Sequence, residues 1–123
     1  MSSLSERGRD ALVRRQLAAA GVPVTYTRVT GGTLALTVIP GQTVYTSQET
    51  PGRVEISARD YQVVVADLMT AGVETPPKIG DRITETINGA AKTFELQTPD
   101  NGDPAWRYAS QWRVLYRGRF KAV

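Results

Sequence analysis

Apolar and polar residues alternate along most of this chain with the two-residue period of a β-strand, a pattern that the first twenty positions do not share. From Val22 the composition turns to Thr, Val and Tyr. Val22, Val24, Tyr26 and Arg28 fall on one face, Pro23, Thr25, Thr27 and Val29 on the other. β-Branched and aromatic side chains suit such a pleated surface. Gly31-Gly32 offers a tight reversal into Thr33–Ile39, so this region predicts a hairpin that ends at Pro40-Gly41. Residues 46–53 have the Ser, Glu, Pro and Gly content of a loop. Strands are expected again at 54–56 and 61–65, separated by a turn around Ala58-Arg59-Asp60.

The best-defined element is a second hairpin. Asn88-Gly89 suits a two-residue turn in which both residues take positive φ, and that turn sets Ile87 opposite Ala90, Glu85 opposite Lys92 and Ile83 opposite Phe94. Apolar groups then meet apolar groups and the acid meets the base, so a one-residue slip would undo all three matches. In the last segment Trp112, Val114, Tyr116, Gly118 and Phe120 share one face, while Arg113, Leu115, Arg117, Arg119 and Lys121 share the other. One side reads as core, with Phe94, Trp112, Tyr116 and Phe120 as its aromatics. The other reads as a basic stripe.

Two segments predict helix. Ser3 and Glu6 have capping-box spacing, 11–20 is rich in helix formers, and Gly21 before Val22-Pro23 is a stop, giving a small-sided, Arg-bearing helix over 1–21. Ala66 to Gly72 predicts one or two internal helical turns. The expected fold is therefore mainly β. It is a small antiparallel β-barrel or sandwich as a single domain over 1–123, with an N-terminal α-helix at 1–21, one short internal helix, and a body at 22–123 with loops at 46–53 and 97–105.

Composition narrows the chemistry. The 123 residues contain no His and no Cys. That removes zinc sites of the usual nitrogen and sulfur ligands, Ser-His and Cys-His nucleophile pairs, and thiol redox steps. Asp100 and Asp103 sit in an Asn-Gly-Pro turn, where Asp serves local hydrogen bonds to backbone, and the further ligands of a calcium loop are missing. Gly31-Gly32 lacks the Lys-Ser or Lys-Thr of a phosphate loop. Neither a catalytic residue, a metal ligand nor a cofactor is expected. The longest apolar run near the N-terminus, Leu17–Ala20, is too short for a signal peptide or a membrane span, so a soluble intracellular product is the expectation.

Charge changes the picture more. The net +3 hides a layout of +2 over 1–20, −4 over 21–104 and +5 over 105–123. A chain with basic ends and an acidic body can dock on an anionic partner or on copies of itself. The expected interface residues are Arg7, Arg14, Arg15, Arg113, Arg117, Arg119 and Lys121. The expected docking or channel loops contribute Gln48, Glu49, Pro51, Asp100, Asn101, Gly102 and Asp103.

The order of elements also resembles a known family. Asp60-Tyr61-Gln62-Val63 leading to Ala66-Asp67-Leu68 and Gly72, then Pro76-x-x-x-Gly80-Asp81-x-Ile83, the Asn-Gly hairpin, and Trp106-Arg107-Tyr108 before Arg113–Arg117 are similar to the small head-tail joining proteins of tailed bacteriophages, also called head completion or stopper proteins. The similarity spans residues 54–121. It implies a structural protein of the virion neck, made in the host cytoplasm and assembled as a ring, a hexamer, beneath the portal or adaptor protein. Its implied partners are copies of itself, the portal or adaptor, a tail terminator or tail tube protein, and passing double-stranded DNA touched without base reading. A tail terminator at the same joint is the nearest alternative. A small barrel binding single-stranded nucleic acid is another, and it would need Trp112, Tyr116 and Phe120 exposed beside the arginines rather than opposite them.

Overall fold

A computed structural model describes Arg15 and residues 19–47, 54–99, 102–109 and 114–123. Seven strands form one antiparallel sheet: β1 (Val22–Thr27), β2 (Thr33–Ser47), β3 (Val54–Val64), β4 (Arg82–Ile87), β5 (Ala90–Leu96), β6 (Trp106–Tyr108) and β7 (Leu115–Ala122). Their order is β3-β2-β1-β4-β5-β7-β6, and β3 also pairs with β7. That extra pairing closes six strands into a barrel, with β6 lying on the same side of β7 as β5 but nearer its start. Closure leaves one interior, filled by Tyr26, Val38, Tyr61, Val63, Leu68, Ile83, Phe94, Leu96, Tyr116 and Phe120. Tyr61 stands edge-on to Phe120, ring centroids 5.6 Å apart, a favoured aromatic geometry.

The Asn88-Gly89 hairpin forms in the expected register, with Ile87 opposite Ala90, Glu85 opposite Lys92 and Ile83 opposite Phe94. Both turn residues have positive φ, 52° and 81°. The charge match, however, differs from expectation. Glu85 is buried inside the barrel, where Tyr61 Oη donates to it at 2.7 Å and Arg59 lies 3.2 Å away. The cross-strand ion pair of this hairpin is Arg82 with Glu95, 3.0 Å apart.

The first hairpin is longer than its sequence suggests. Pro40-Gly41 does not end β2, because the chain absorbs the interruption as an irregularity between Pro40 and Thr43 and continues to Ser47. Residues 58–60 are likewise strand rather than turn. Val44 faces Ala58 and Tyr45 faces Ile56, so Ser57 is the extra residue of a bulge. Arg59 and Asp60, turn-like in composition, are held in the strand by ion pairs to Glu85 and to Arg117 and Arg119.

The expected short internal helix is corrected to a single 3-10 turn, Val65–Leu68, after which the chain turns again through a bridge between Thr70 and Val73. Gly72 ends that bridge's turn at φ +78° instead of closing a helix. The helix expected over 1–21 lies outside the described residues except for Arg15, Ala19, Ala20 and Gly21, of which the first three are helical and exposed but too scattered to define an element. Among the described residues the fold is therefore a β-barrel without an α-helical element.

Candidate assembly interface

The outer face of β7 carries the basic stripe. Arg117 and Arg119 are exposed and Lys121 half-buried, while Tyr116, Gly118 and Phe120 face the core. Leu115 departs from this parity. It packs with Val64, Ile39 and Val114 in a second small apolar cluster, because the strand begins at Leu115 and its first pair, with Val64, lies under that patch. Val114, expected in the core, belongs to the same cluster.

Beneath the stripe lies Asp60 on β3, the cross-strand partner of Arg119. Arg117 Nη2 donates to Asp60 Oδ2 at 3.1 Å and Arg119 Nε lies 3.7 Å from Oδ1. The carboxylate is largely sheltered, its side chain 11 % exposed, whereas the two arginines remain half in water. The like charges of β7 are thus neutralised in part from within the chain. Gly41 makes this possible, since a Cβ there would stand 3.2 Å from the Asp60 Cβ.

A cavity of about 260 Å³ opens over this pair, lined by Gln42, Asp60, Asp103, Arg107, Arg117 and Arg119, with Trp106 and the 104–105 loop forming its wall. The loop approaches closely because residue 118 is glycine. A Cβ at Gly118 would lie 3.1 Å from Leu96 Cδ1, 3.3 Å from Phe120 Cε1 and 3.5 Å from the Ala105 carbonyl oxygen. Arg107, between two aromatic residues that turn inward, is the cross-strand neighbour of Arg117 and points outward.

Two polar clamps, the first buried and the second at the surface, tie neighbouring elements together. Asp81, fully buried, accepts from Tyr26 Oη (2.6 Å), Arg28 Nη1 (3.1 Å), Lys78 N (2.9 Å) and Val29 N (2.8 Å). Arg28 also donates to the carbonyls of Leu68, Thr75 and Pro76, so one guanidinium ties the 68–76 segment to the barrel end. This explains the Pro76-x-x-x-Gly80-Asp81 motif. Gly80 has φ +98° and lies so close to Val29 that a Cβ would fall 2.8 Å from Val29 Cγ2, and Asp81 follows as the clamp. In the second clamp, Tyr108 Oη and Tyr116 Oη both donate to Glu74 Oε1, at 2.5 and 2.8 Å, and the two rings stack with centroids 5.6 Å apart. Burial, then the hydrogen bond to a carboxylate, pushes the phenols of Tyr26, Tyr61 and Tyr116 far above their ordinary value.

Of the residues expected at the interface, Arg117, Arg119, Lys121 and Asp103 come together on or beside this face, and Arg15 is exposed. Arg7, Arg14 and Arg113 lie outside the described residues. So do Gln48, Glu49, Pro51, Asp100 and Asn101, while Gly102 is exposed with φ +82°. Phe94, Tyr116 and Phe120 are core as expected, and Trp112 is outside the described residues. Asp60 and Arg107 were not among the expected site residues. Trp106-Arg107-Tyr108 does alternate as the last strand does, which is the signal that would have found Arg107.

A model of the phage head-tail joining protein family matches residues 2–119. The chain belongs to this family. The match runs over nearly the whole chain, including the N-terminal part that residue resemblance alone leaves undiagnosed. Comparison with curated proteins gave no match. As a member of the family it has a structural role at the joint between a phage head and tail, as a component of the virion neck. Among the described residues no helix is long and apolar enough to cross a membrane.

Proposed function

We propose that this head-tail joining protein works as a homo-oligomeric ring, a hexamer, set between the portal or adaptor protein and the tail terminator or tail tube protein. The ring helps retain packaged DNA and lets double-stranded DNA pass with non-specific contact only. Its role is structural rather than catalytic. The observation that carries the reading is the arm formed by β2 and β3. Past the barrel wall, Thr43–Ser47 pairs with β3 alone and 54–57 with β2 alone, leaving both outer backbone edges open among the described residues. An open edge is a template for a further strand. Arms laid edge to edge around a closed ring would satisfy both edges of every copy, as a head-to-tail interface requires when its rotation closes.

Buried Phe94, Tyr116 and Phe120 support this reading over single-stranded nucleic-acid binding, which needs exposed rings beside the arginines. The test is a native mass measurement of the purified protein with its portal complex, paired with complementation of a phage lacking the gene. A hexamer on the portal and restored DNA-filled infectious particles are expected. A single copy per portal, or DNA-filled heads that join tails without the protein, would overturn the proposal.

A further inference from the structure

The charges around the β6–β7 cleft do not balance. Arg107 and Arg117 are cross-strand partners on the outward face, a placement that is destabilising for like charges unless an anion offsets it. Both oxygens of Asp60 are already taken, Oδ2 by Arg117 and Oδ1 by Arg119. Arg107 has no hydrogen-bond or ion-pair partner among the described residues. Arg107 lines the same recess, whose lining therefore carries three arginines, Arg107, Arg117 and Arg119, against two acids, Asp60 and Asp103.

We propose that this recess binds the carboxylate of an acidic side chain carried by a different protein of the head-tail joint, with Arg107 as its principal contact and Arg117 as the second. The proposal rests on the joining role and names the chemistry of the partner. A guanidinium offers paired N–H donors that match a carboxylate, and an Arg beside a half-buried Trp is the composition of an interface anchor. Trp106 and the 104–105 wall provide that setting.

Among the acids whose side chains are described, a second copy offers no free carboxylate, because each already has a partner. Asp60, Asp81, Glu85 and Glu95 are in ion pairs. Glu74 accepts from two tyrosines, and Asp67 and Asp103 are also engaged. DNA is disfavoured as well. A phosphate backbone would bring successive negative charges against Asp60 and Asp103, and a stiff duplex does not enter a recess of this size, whereas one flexible side chain does.

Two experiments test it. In the first, the intact protein is titrated, with the arginine Nε–H resonances followed by NMR. The probes are a short capped peptide with two central Glu residues, its Gln counterpart, inorganic phosphate, and a short DNA duplex. The Glu peptide should move Arg107 and Arg117 selectively, and Arg107→Gln should weaken it about ten-fold, the loss expected for one charge-assisted contact. Lys92→Gln, a change at an exposed cation on β5, should leave the affinity unchanged. Equal binding of the Glu and Gln peptides, or tighter binding of phosphate or duplex at these resonances, would overturn the proposal.

In the second, Arg107→Glu is introduced into the phage and suppressors are selected. They should change an Asp or Glu of a head or tail protein to Lys or Arg. Suppressors confined to this chain, or full infectivity of the variant, would refute it. Because the titration uses the isolated protein, its failure counts against the recess alone, while failure of complementation by the wild-type gene counts against the joining role.

Discussion

Replacing Asp81 by Asn removes one charge from a buried cluster of four donors around one carboxylate and keeps its shape. Asp81 Oδ2 serves Tyr26, Arg28 and Lys78, and Oδ1 serves Val29. If the single amide oxygen stays in the Oδ2 position, three donors keep an acceptor and the Val29 N–H faces an NH₂ group instead. One buried unsatisfied donor costs roughly 1–3 kcal/mol, and breaking a buried ion pair from one side costs roughly 3–5 kcal/mol. Arg28 offsets part of this, since it retains three carbonyl acceptors. The lower end therefore applies, and the expected loss is about 3 kcal/mol. A domain of this size is stable by roughly 6–18 kcal/mol, so the variant should remain folded and measurable by urea unfolding with an unchanged m-value. Hydrogen exchange should quicken in 68–81 before it does in β7. A loss under about 1 kcal/mol, or exchange that quickens uniformly, would refute the view that this clamp holds the segment.

Gly118→Ala should cost about 1–3 kcal/mol in the same assay, because the new methyl group meets Leu96 and Phe120, both buried; a neutral result would mean that the wall can move outward freely. Tyr26, Tyr61 and Tyr116 have pKa values raised above their unfolded values. Their contribution is complete below about pH 10 and is lost above it, by up to about 1.4 kcal/mol per pH unit for each. Tyrosinate absorbance from these three should therefore appear only as circular dichroism reports unfolding, and early, independent titration of all five tyrosines would contradict it. Arg117→Glu with Arg119→Glu should lower the melting temperature by stranding Asp60 beside two new carboxylates, whereas Arg107→Glu, which replaces a like-charge cross-strand pair with an opposite-charge one, should raise it slightly; a fall of equal size in both would show that Asp60 is indifferent to its partners.

This last contrast marks where sequence reading stops. Parity along Tyr116–Lys121 separates the core from the basic face correctly because the strand is regular there. The Asn88-Gly89 register follows from a turn whose two positive φ angles leave no choice. A charge count over segments, by contrast, is blind to which acid lies under which base. Three of the ion pairs, Arg28–Asp81, Arg59–Glu85 and Arg82–Glu95, lie within the acidic body itself, and the basic end reaches the body of its own chain at Asp60, through Arg117 and Arg119. Arg59 and Asp60 looked like a turn for the same reason, since their partners are distant in sequence. The motif around Pro76 and Gly80-Asp81 was visible as spacing, but its work as a clamp appears only when Tyr26 and Arg28, more than fifty residues before Asp81, arrive beside it.

The position of β7 has a mechanical consequence. Seven residue pairs join it to β3 along one side, and three pairs each to β6 and β5 along the other. A pull transmitted through Arg117 or Arg119 along the strand must shear both rows together, which resists rupture far better than peeling an edge strand one bond at a time. At a joint between head and tail, load entering at these arginines would pass into a strand braced on both sides, which spreads it through the barrel wall.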